Sequence, residues 1–436
     1  MTAAFSSPES RVPSPGFTAT DHALMARALR LAERGLFTTQ PNPRVGCVIA
    51  RDGEIVGEGW HQRAGEPHAE VFALRAAGER AQGARAYVTL EPCSHQGRTP
   101  PCADALVAAG IRRVVVAADD PNPKVAGAGL QRLRDAGITV EAGLMREAAR
   151  ELNRGFFCRF EQGRPWVRVK LAMSFDGRTA LGNGESKWVT SEPARADVQR
   201  WRARSSAILT GAGTARADDP RLTARATCSS DVSFEPSPQP LSRLDILSRQ
   251  ETPPWSSETK AFAAAADASV ASAERGGSPR GERGYSPLRV LLDARLDALQ
   301  PSASLLDGGT PTLVLHAPEV VPRDDRYARV ELAAIACDAH GRLDLDAVLQ
   351  LLAARGVNEL QVEAGPTLCG ALFAQGRVDE LLVYVAPLLL GDAARPLLAL
   401  PALTDMAGRW PLRVLDQRRV GDDWRYLLRR AAPTGI

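Results

Sequence analysis

The sequence predicts two α/β domains in one chain. Its 436 residues exceed the usual size of a single hydrophobic core, and 44% of them are apolar, which supplies ample core for a large enzyme. Short runs rich in Val, Ile and Leu alternate with segments of helical periodicity in both halves. Strands that alternate with helices indicate sheets covered by layers of helices.

The first domain is predicted over residues 21–163. A helix from Asp21 to Arg34 ends at Gly35, and the strands Val45–Ala50 and Ile55–Gly59 form a hairpin. The elements that follow are a helix through Leu74 to Ala81 that Pro67 opens, strand Ala86–Leu90, a helix from Cys102, strand Arg113–Ala117, a helix after Gly129, strand Ile138–Glu141 and helix Met145–Phe157. This order predicts an α/β/α sandwich.

The second domain is predicted over residues 164–436 as a mostly parallel sheet with helical cover. Its predicted strands are Trp166–Met173, Ala207–Thr210, Arg289–Asp293, Thr312–His316, Glu359–Glu363 and Glu380–Ala386. No G-x-G-x-x-G follows a strand, so the usual dinucleotide fingerprint is absent. The segment Glu363–Leu368 is instead predicted to form a strand end, a glycine turn and the start of a helix. The free N–H groups at such a helix start can bind a phosphate. An ordinary strand-to-helix turn has the same sequence pattern.

Four residues of the first domain predict an open zinc site. His68 and Glu70 stand in the run P-H-A-E-V at the start of a helix, and Cys93 and Cys102 follow in E-P-C-S-H-Q-G-R-T-P-P-C. A catalytic zinc keeps three protein ligands and one position for water, and zinc deaminases combine H-x-E with P-C-x-x-C, the Glu acting as acid and base. Here a longer insert separates the cysteines. The positive ends of two predicted helices would favour the thiolates that zinc requires.

Simpler interpretations exist for each of these residues. His68 alone could be a solvated helix residue, and Cys93 and Cys102 alone could be small buried hydrophobes. A closed structural zinc site would need a fourth ligand, for which His61 and His95 are the nearby candidates. The four residues in this order favour the open site.

Composition and charge give information on possible partners, on the cellular compartment and on disordered segments. A net charge of +3 with interspersed signs indicates no nucleic-acid surface, and seven scattered cysteines fit a reducing cytoplasm. No apolar run is long enough to span a bilayer. Residues 1–20 and the insert 227–286, which are rich in Ser, Pro, Ala or Gly, are predicted to be disordered.

Several longer strings resemble the bifunctional deaminase/reductase family of bacterial riboflavin biosynthesis. They are P-N-P-R-V-G at Pro41, H-A-E-V at His68, T-L-E-P-C-S-H-Q-G-R-T-P-P-C at Thr89, D-P-N-P-K-V-A-G-A-G at Asp120, V-K-L-A-M-S-F-D-G-R-T-A at Val169, S-K-W-V-T-S at Ser186, A-D-D-P-R-L-T-A-R at Ala217 and V-E-A-G-P-T-L at Val362. The resemblance covers nearly the whole chain except the tail and the insert. It implies a cytidine-deaminase-like first domain and a dihydrofolate-reductase-like second domain.

The resemblance also implies roles for individual residues. In the deaminase half, Glu70 is the proton shuttle, His68, Cys93 and Cys102 bind Zn²⁺, Asn42 holds the pyrimidine and the loop Ser94–Thr99 holds its phosphate arm. The implied substrate-binding residues of the reductase half are Lys170, Ser186, Arg202, Asp218, Leu222, Arg225 and Glu363. Those implied to bind NADPH are Ala172, Trp188, Thr214, Asp218, Gly365, Pro366, Thr367, Leu368, Cys369, Gly370 and Ala371.

The implied function is a two-step enzyme, with a zinc-dependent deamination followed by an NADPH-dependent reduction of ribosyl to ribityl. We expect a small phosphorylated pyrimidine as substrate, neither nucleic acid nor membrane as partner, a homo-oligomer of two or four chains, and a bacterial cytoplasmic location. Two alternatives stay open at this point. One is a nucleic-acid base deaminase, which would need a basic or aromatic strand-binding surface, and the other is a noncatalytic zinc-stabilised interaction protein.

Overall fold

The computed structural model describes residues 16–95, 100–225 and 286–431. The chain forms two compact units, of which the first contains the residues before Gln40 together with Arg44–Asn153. The second contains Gln40–Pro43 and the chain from Arg154 onwards. Most of the predicted N-terminal tail and nearly all of the predicted insert lie outside the described residues, and the domain boundary after residue 163 stays a prediction.

A five-stranded sheet forms the centre of the first unit. Its strands are β1 Gly46–Arg51, β2 Glu54–Trp60, β3 Arg85–Leu90, β4 Arg113–Ala118 and β5 Thr139–Ala142. Their order in the sheet is β2-β1-β3-β4-β5, in which β1 is antiparallel to both of its neighbours, whereas β3, β4 and β5 are parallel. The helices are α1 Ala19–Glu33, α2 Ala69–Ala77, α3 Cys102–Ala108, α4 Ala128–Asp135 and α5 Arg146–Leu152. These elements confirm the predicted α/β/α order.

Small residues bring α2 close to the sheet. Its buried residues Ala69, Ala73 and Ala77 lie in the apolar cluster that also contains Cys47 and Ile49 of β1. A Cβ added to Gly59 of β2 would lie 2.3 Å from the carbonyl oxygen of Ala69. Only a strand without a side chain at this position allows that approach, which fixes the height of α2 above the sheet.

Two helical predictions for the first domain differ from the structure. The helix predicted from Pro67 begins at Ala69, because His68 has the extended backbone of an N-cap. The single helix predicted over Met145–Phe157 is two helices, α5 and α6 Arg154–Gln162, of which α6 belongs to the second unit. Asn153 separates them, since its side chain binds both backbone polar groups of Arg44 at 2.8 and 2.9 Å and holds the chain away from helical geometry.

The second unit is built on a nine-stranded sheet. Its strands are β6 Trp166–Ser174, β8 Ala207–Gly211, β9 Leu288–Leu292, β10 Thr312–His316, β11 Glu331–Ala334, β12 Glu359–Val362, β13 Glu380–Ala386, β15 Leu412–Val420 and β16 Asp423–Arg430. Their order in the sheet is β11-β10-β9-β8-β12-β6-β13-β16-β15. The strands from β11 to β13 in this order are parallel, and β16 and β15 add an antiparallel edge. Two short strands, β7 Arg178–Ala180 and β14 Arg395–Pro396, pair separately.

Helices cover both faces of this large sheet. α9 Leu345–Ala354 and α10 Pro366–Ala374 pack on the face that contains Val167, Val169 and Leu171 of β6. α7 Glu192–Ala203 packs on the opposite face, against Leu382 and Tyr384 of β13. A further helix, α8 Ala212–Asp218, follows β8 directly. The predicted parallel sheet with helical cover is confirmed, whereas the β15–β16 hairpin was not predicted.

None of the helices in the described part of the chain combines the length and the apolar character that crossing a bilayer requires.

Candidate active sites

The three predicted zinc ligands meet in the first unit. His68 caps α2, Cys93 follows β3, and Cys102 is the first residue of α3. The Nδ1 atom of His68 lies 3.2 Å from Sγ of Cys102 and 3.6 Å from Sγ of Cys93, and all three ligand atoms lie within 4.8 Å of one another. Two helix starts therefore converge on one point, as predicted.

This donor set fits a zinc ion. Zinc–sulfur bonds of about 2.3 Å and zinc–nitrogen bonds of about 2.0 Å place tetrahedral sulfur and nitrogen ligands roughly 3.5 Å apart. The two sulfur–nitrogen distances lie on either side of that value. The backbone N–H of Cys102 also donates to Sγ of Cys93 at 3.3 Å, and the pKa of the Cys93 thiol is lowered because Cys102 and His68 donate to its sulfur. A thiolate is the form that binds zinc.

Within the described residues, the group that could hold a metal contains three ligands and not four. His61, a candidate fourth ligand, is buried with its ring edge-on to His68 and its Nδ1 atom 3.1 Å from the carbonyl oxygen of Pro67. His95, the other candidate, is exposed. This arrangement favours the open site over the closed structural one.

Glu70 lies beside the ligand set in the first turn of α2. The residue is only 3% exposed, and no hydrogen-bond partner for its Oε2 atom occurs among the residues described. Burial raises the pKa of Glu70 to about 7, and the negative charge of Cys93 adds to this effect while His68 opposes it. A carboxyl group with such a pKa both accepts and donates a proton near neutral pH, as a proton shuttle must.

Two predicted parts of the deaminase site stay predictions. Asn42 belongs to the segment Gln40–Pro43, which groups with the second unit. Residues 96–99 of the predicted phosphate-binding loop lie outside the described residues.

A cavity of about 1800 Å³ lies at the carboxyl ends of the parallel strands of the second unit. This is where open α/β sheets bind ligands. It brings together most of the residues predicted for the reductase, namely Lys170, Ala172, Ser186, Trp188, Arg202, Thr214, Asp218, Leu222, Glu363, Gly365, Pro366, Thr367, Leu368 and Ala371. Arg225 instead lines a second cavity of about 670 Å³.

Cys369 and Gly370, predicted to bind the cofactor, do not line the large cavity. The buried thiol of Cys369 donates to the carbonyl oxygen of Ala364 at 3.2 Å. A Cβ on Gly370 would lie 2.2 Å from the carbonyl oxygen of Ala399. Both residues contribute to packing α10, and their contact with the cofactor stays a prediction.

The residues at the start of α10 fit a cofactor phosphate. Gly365 is the N-cap, Pro366 has no N–H, and within the described chain no side chain caps this helix. A Cβ on Gly365 would find its nearest neighbour, Oγ1 of Thr214, at 3.8 Å, so the space before this turn is open to a ligand. The amides of Thr367 and Leu368 thus offer an anion the positive end of a helix at the cavity wall.

A part-buried ion pair forms the polar centre of the same cavity. Nε and Nη2 of Arg202 donate to the two carboxylate oxygens of Glu363, each at 2.7 Å, and Nη1 donates to the carbonyl oxygen of Thr223 at 3.1 Å. Burial opposes ionisation of Glu363, yet Arg202, Lys170 and Gln361 together lower its pKa to about 2. Arg202 therefore holds Glu363 charged and ties it to the loop that precedes Arg225.

Similarity to known proteins supports the assignment of a zinc site to the first unit and of a reductase site to the second. Residues 18–118 match the family model described as the cytidine and deoxycytidylate deaminase zinc-binding region, and residues 165–424 match the RibD C-terminal domain. The riboflavin biosynthesis protein RibD of Escherichia coli K12 is 46% identical over 404 residues, which cover 92% of this chain and 97% of that protein. The chain belongs to the RibD family.

Solved RibD structures have the same fold. RibD of Acinetobacter baumannii is 40% identical with a TM-score of 0.77, and the match covers 95% of this chain and 99% of that structure. A Thermotoga maritima protein named diaminohydroxyphosphoribosylaminopyrimidine deaminase/5-amino-6-(5-phosphoribosylamino)uracil reductase is 27% identical with a TM-score of 0.72, and the match covers 94% of this chain and 99% of that structure. These matches confirm the predicted fold class of both domains.

As a RibD family member, the chain is a bifunctional deaminase and reductase of riboflavin biosynthesis. Its zinc and NADPH cofactors are those predicted from the sequence. RibD membership also decides for an enzyme of small-molecule metabolism over a noncatalytic zinc protein or a nucleic-acid base deaminase.

Several residues that shape the RibD reductase site were missed by sequence reasoning. Asp218 lines the cavity, whereas the carboxylate of its neighbour Asp219 accepts hydrogen bonds from the backbone and side chain of Ser304 at 2.8 and 2.9 Å. The buried guanidinium of Arg289 donates to the carbonyl oxygens of Ser304 and Arg221 at 3.0 and 3.4 Å. These bonds hold the loop after Asp218 against the turn at Ser304. The double aspartate in A-D-D-P was the only signal in the sequence.

Proposed function

We propose that this chain performs two successive reactions on 2,5-diamino-6-(ribosylamino)-4(3H)-pyrimidinone 5′-phosphate. The first is a hydrolytic deamination in the first unit, and the second is the reduction of the ribosyl group to ribityl in the second unit. The observation that carries the proposal is the set of three zinc ligands beside the buried Glu70 carboxyl. The name of the Thermotoga maritima relative supports the choice of pyrimidine.

In the deamination, His68, Cys93 and Cys102 hold the metal and Glu70 moves the protons. Bound zinc supplies the Lewis acidity that makes water a nucleophile at neutral pH. Glu70 takes one proton from the attacking water, whose oxygen bonds to the amino-bearing carbon of the pyrimidine, and passes it to the adjacent ring nitrogen. The same carboxyl then moves the second proton, from the new hydroxyl group, to the departing amine, so that the carbon–nitrogen bond breaks, ammonia leaves and a carbonyl group remains. The raised pKa of Glu70 suits both transfers.

In the reduction, the residues of the large cavity orient the sugar and the cofactor. Bound NADPH would supply a hydride for the anomeric carbon of the ribosyl group, whose bond to the ring oxygen breaks so that the sugar opens. Glu363, held ionised by Arg202 and close to Lys170, orients the sugar in this proposal. Asp218 at the cavity wall gives a proton to the released ring oxygen. Lys170, Ser186 and Arg202 surround the substrate phosphate, and the amides at the start of α10 bind a cofactor phosphate.

The proposed function is tested by following both products separately. Purified enzyme incubated with the pyrimidine substrate and NADPH is expected to release one ammonia and oxidise one NADPH per substrate. Removing zinc with a chelator should abolish ammonia release and, with it, NADPH oxidation from this substrate. The chelated enzyme should still oxidise NADPH when the deaminated pyrimidine is supplied, because the second unit needs no metal in this mechanism.

Two results would contradict this proposal. Ammonia release that survives complete zinc removal would exclude the metal from the hydrolysis. NADPH oxidation that precedes ammonia release would reverse the order of the two steps. Assembly as a homo-oligomer and a cytoplasmic location stay predictions, the first of which light scattering on the purified protein tests.

A further inference from the structure

Helix α4 contacts both of the cysteine-bearing segments of the zinc site. Glu91, two residues before Cys93, is 4% exposed, and its carboxylate accepts four backbone hydrogen bonds. Its Oε1 atom binds the amides of Gly129 and Leu130 at 3.0 and 3.3 Å, and Oε2 binds those of Gly127 and Asp120 at 3.0 and 3.2 Å. Glu91 therefore caps α4 from another segment of the chain.

The backbone of α4 and the backbone of the segment before Cys93 are in direct contact. A Cβ on Gly129 would lie 1.9 Å from the carbonyl oxygen of Pro92, so α4 rests directly on the residue that precedes Cys93. Two carboxylate oxygens that each accept two N–H groups form charge-assisted bonds, which are stronger than neutral ones. Glu91 and α4 thereby hold the start of the Cys93 loop in one position.

The next turn of α4 contacts the segments on either side of the ligand pair. Nη1 of Arg132 donates to the carbonyl oxygen of Ser94, the neighbour of Cys93, at 3.3 Å. The Arg132 guanidinium also forms an ion pair with Asp104, which follows Cys102 by two residues in α3. One helix thus contacts the chain beside both sulfur ligands.

We propose that Glu91 and Arg132 are positioning residues that hold Cys93 and Cys102 at the separation zinc requires. The inference rests on the proposed zinc centre and assigns its preorganisation to α4. If the two sulfur atoms are already held in place, binding of the metal does not have to order them, and metal affinity is higher. Groups that orient metal ligands in this way typically change metal affinity by about 10–100-fold when they are replaced.

Glu91→Gln tests the proposal with minimal change of shape. The amide NH₂ that replaces one oxygen would face two backbone N–H groups that need an acceptor. We expect the zinc dissociation constant, measured by competition with a chelator of known affinity, to rise about 10–100-fold. The cobalt-substituted protein should also show altered cobalt–thiolate absorption. Glu147→Gln, an exposed glutamate of α5, is the matched control and should leave both readouts unchanged.

Arg132→Gln provides a second, milder variant because the side chain is half exposed. It should weaken zinc binding in the same direction by about tenfold or less, whereas Arg134→Gln on the exposed side of the same helix should not. Reductase activity on the deaminated pyrimidine shows in every variant that the second unit is folded. If Glu91→Gln does not fold, the zinc affinity of Arg132→Gln alone tests the proposal.

Unchanged zinc affinity and cobalt spectra in the folded variants would overturn the inference. This outcome is distinct from failure of the proposed function. If the wild-type protein binds zinc but releases no ammonia from the pyrimidine, the deaminase proposal fails while the role of α4 is still judged by metal affinity. If the wild-type protein binds no zinc, both fail.

Discussion

Glu70→Gln is expected to lower the rate of ammonia release by about 100- to 10,000-fold, the range that a positioned acid–base group contributes. Glutamine has nearly the same size as glutamate, but its amide can neither take the proton from water nor give one to the departing amine. Because Glu70 is not among the three metal ligands, zinc content should stay at the wild-type level. Ammonia release and bound zinc are measured on the same preparation.

Glu79→Gln, an exposed glutamate shortly after α2, is the matched control and should keep wild-type activity. The reductase rate of Glu70→Gln with the deaminated pyrimidine should also be unchanged, since that reaction belongs to the other unit. Ammonia release at the wild-type rate in Glu70→Gln would show that another group moves the protons. The zinc site would then resemble the noncatalytic alternative considered from the sequence.

Arg202→Met is expected to have the largest effect on the second unit. It removes the partner of Glu363, whose side chain is 12% exposed, and leaves a part-buried carboxylate without its bidentate bonds. Loss of one member of a buried ion pair costs about 3–5 kcal/mol, and access of water through the cavity places this case at about 3 kcal/mol. We also expect the reductase kcat/KM to fall by about 100-fold, because Glu363 and the loop at Thr223 lose a common anchor.

Urea unfolding followed by tryptophan fluorescence measures the stability change, and NADPH absorbance measures the reductase rate. Arg202→Lys keeps the charge but loses the planar fork, so an intermediate loss of reductase activity is expected. Arg200→Met, at an exposed position of the same helix, should change neither quantity. An Arg202→Met enzyme with wild-type stability and reductase rate would show that the ion pair has no role in the site.

The zinc site could be predicted from the sequence because the residues that identify it stand in short local motifs. His68 and Glu70 stand two positions apart, and each cysteine falls where a helix or strand boundary could be predicted from neighbouring residues. The parallel sheet of the second unit was predictable for a similar reason, since buried strands are short continuous apolar runs. Resemblance to a family then assigned roles that spacing alone left open.

The missed features depend on contacts between distant positions. Arg202 and Glu363 are 161 residues apart, and the amide partners of Glu91 follow it by 29 to 39 residues. Asn153 interrupts a helical pattern because it binds Arg44, which lies 109 residues earlier. Periodicity and propensity describe neighbours along the chain, so they cannot reveal a side chain whose partner comes from another segment.

Zinc K-edge absorption spectroscopy of the purified protein tests the central claim most directly. The account predicts two sulfur ligands at about 2.3 Å, one imidazole nitrogen and one oxygen from solvent at about 2.0 Å, with the outer-shell scattering of a single imidazole. A spectrum with two imidazoles and no solvent oxygen, or a protein without stoichiometric zinc, would contradict it.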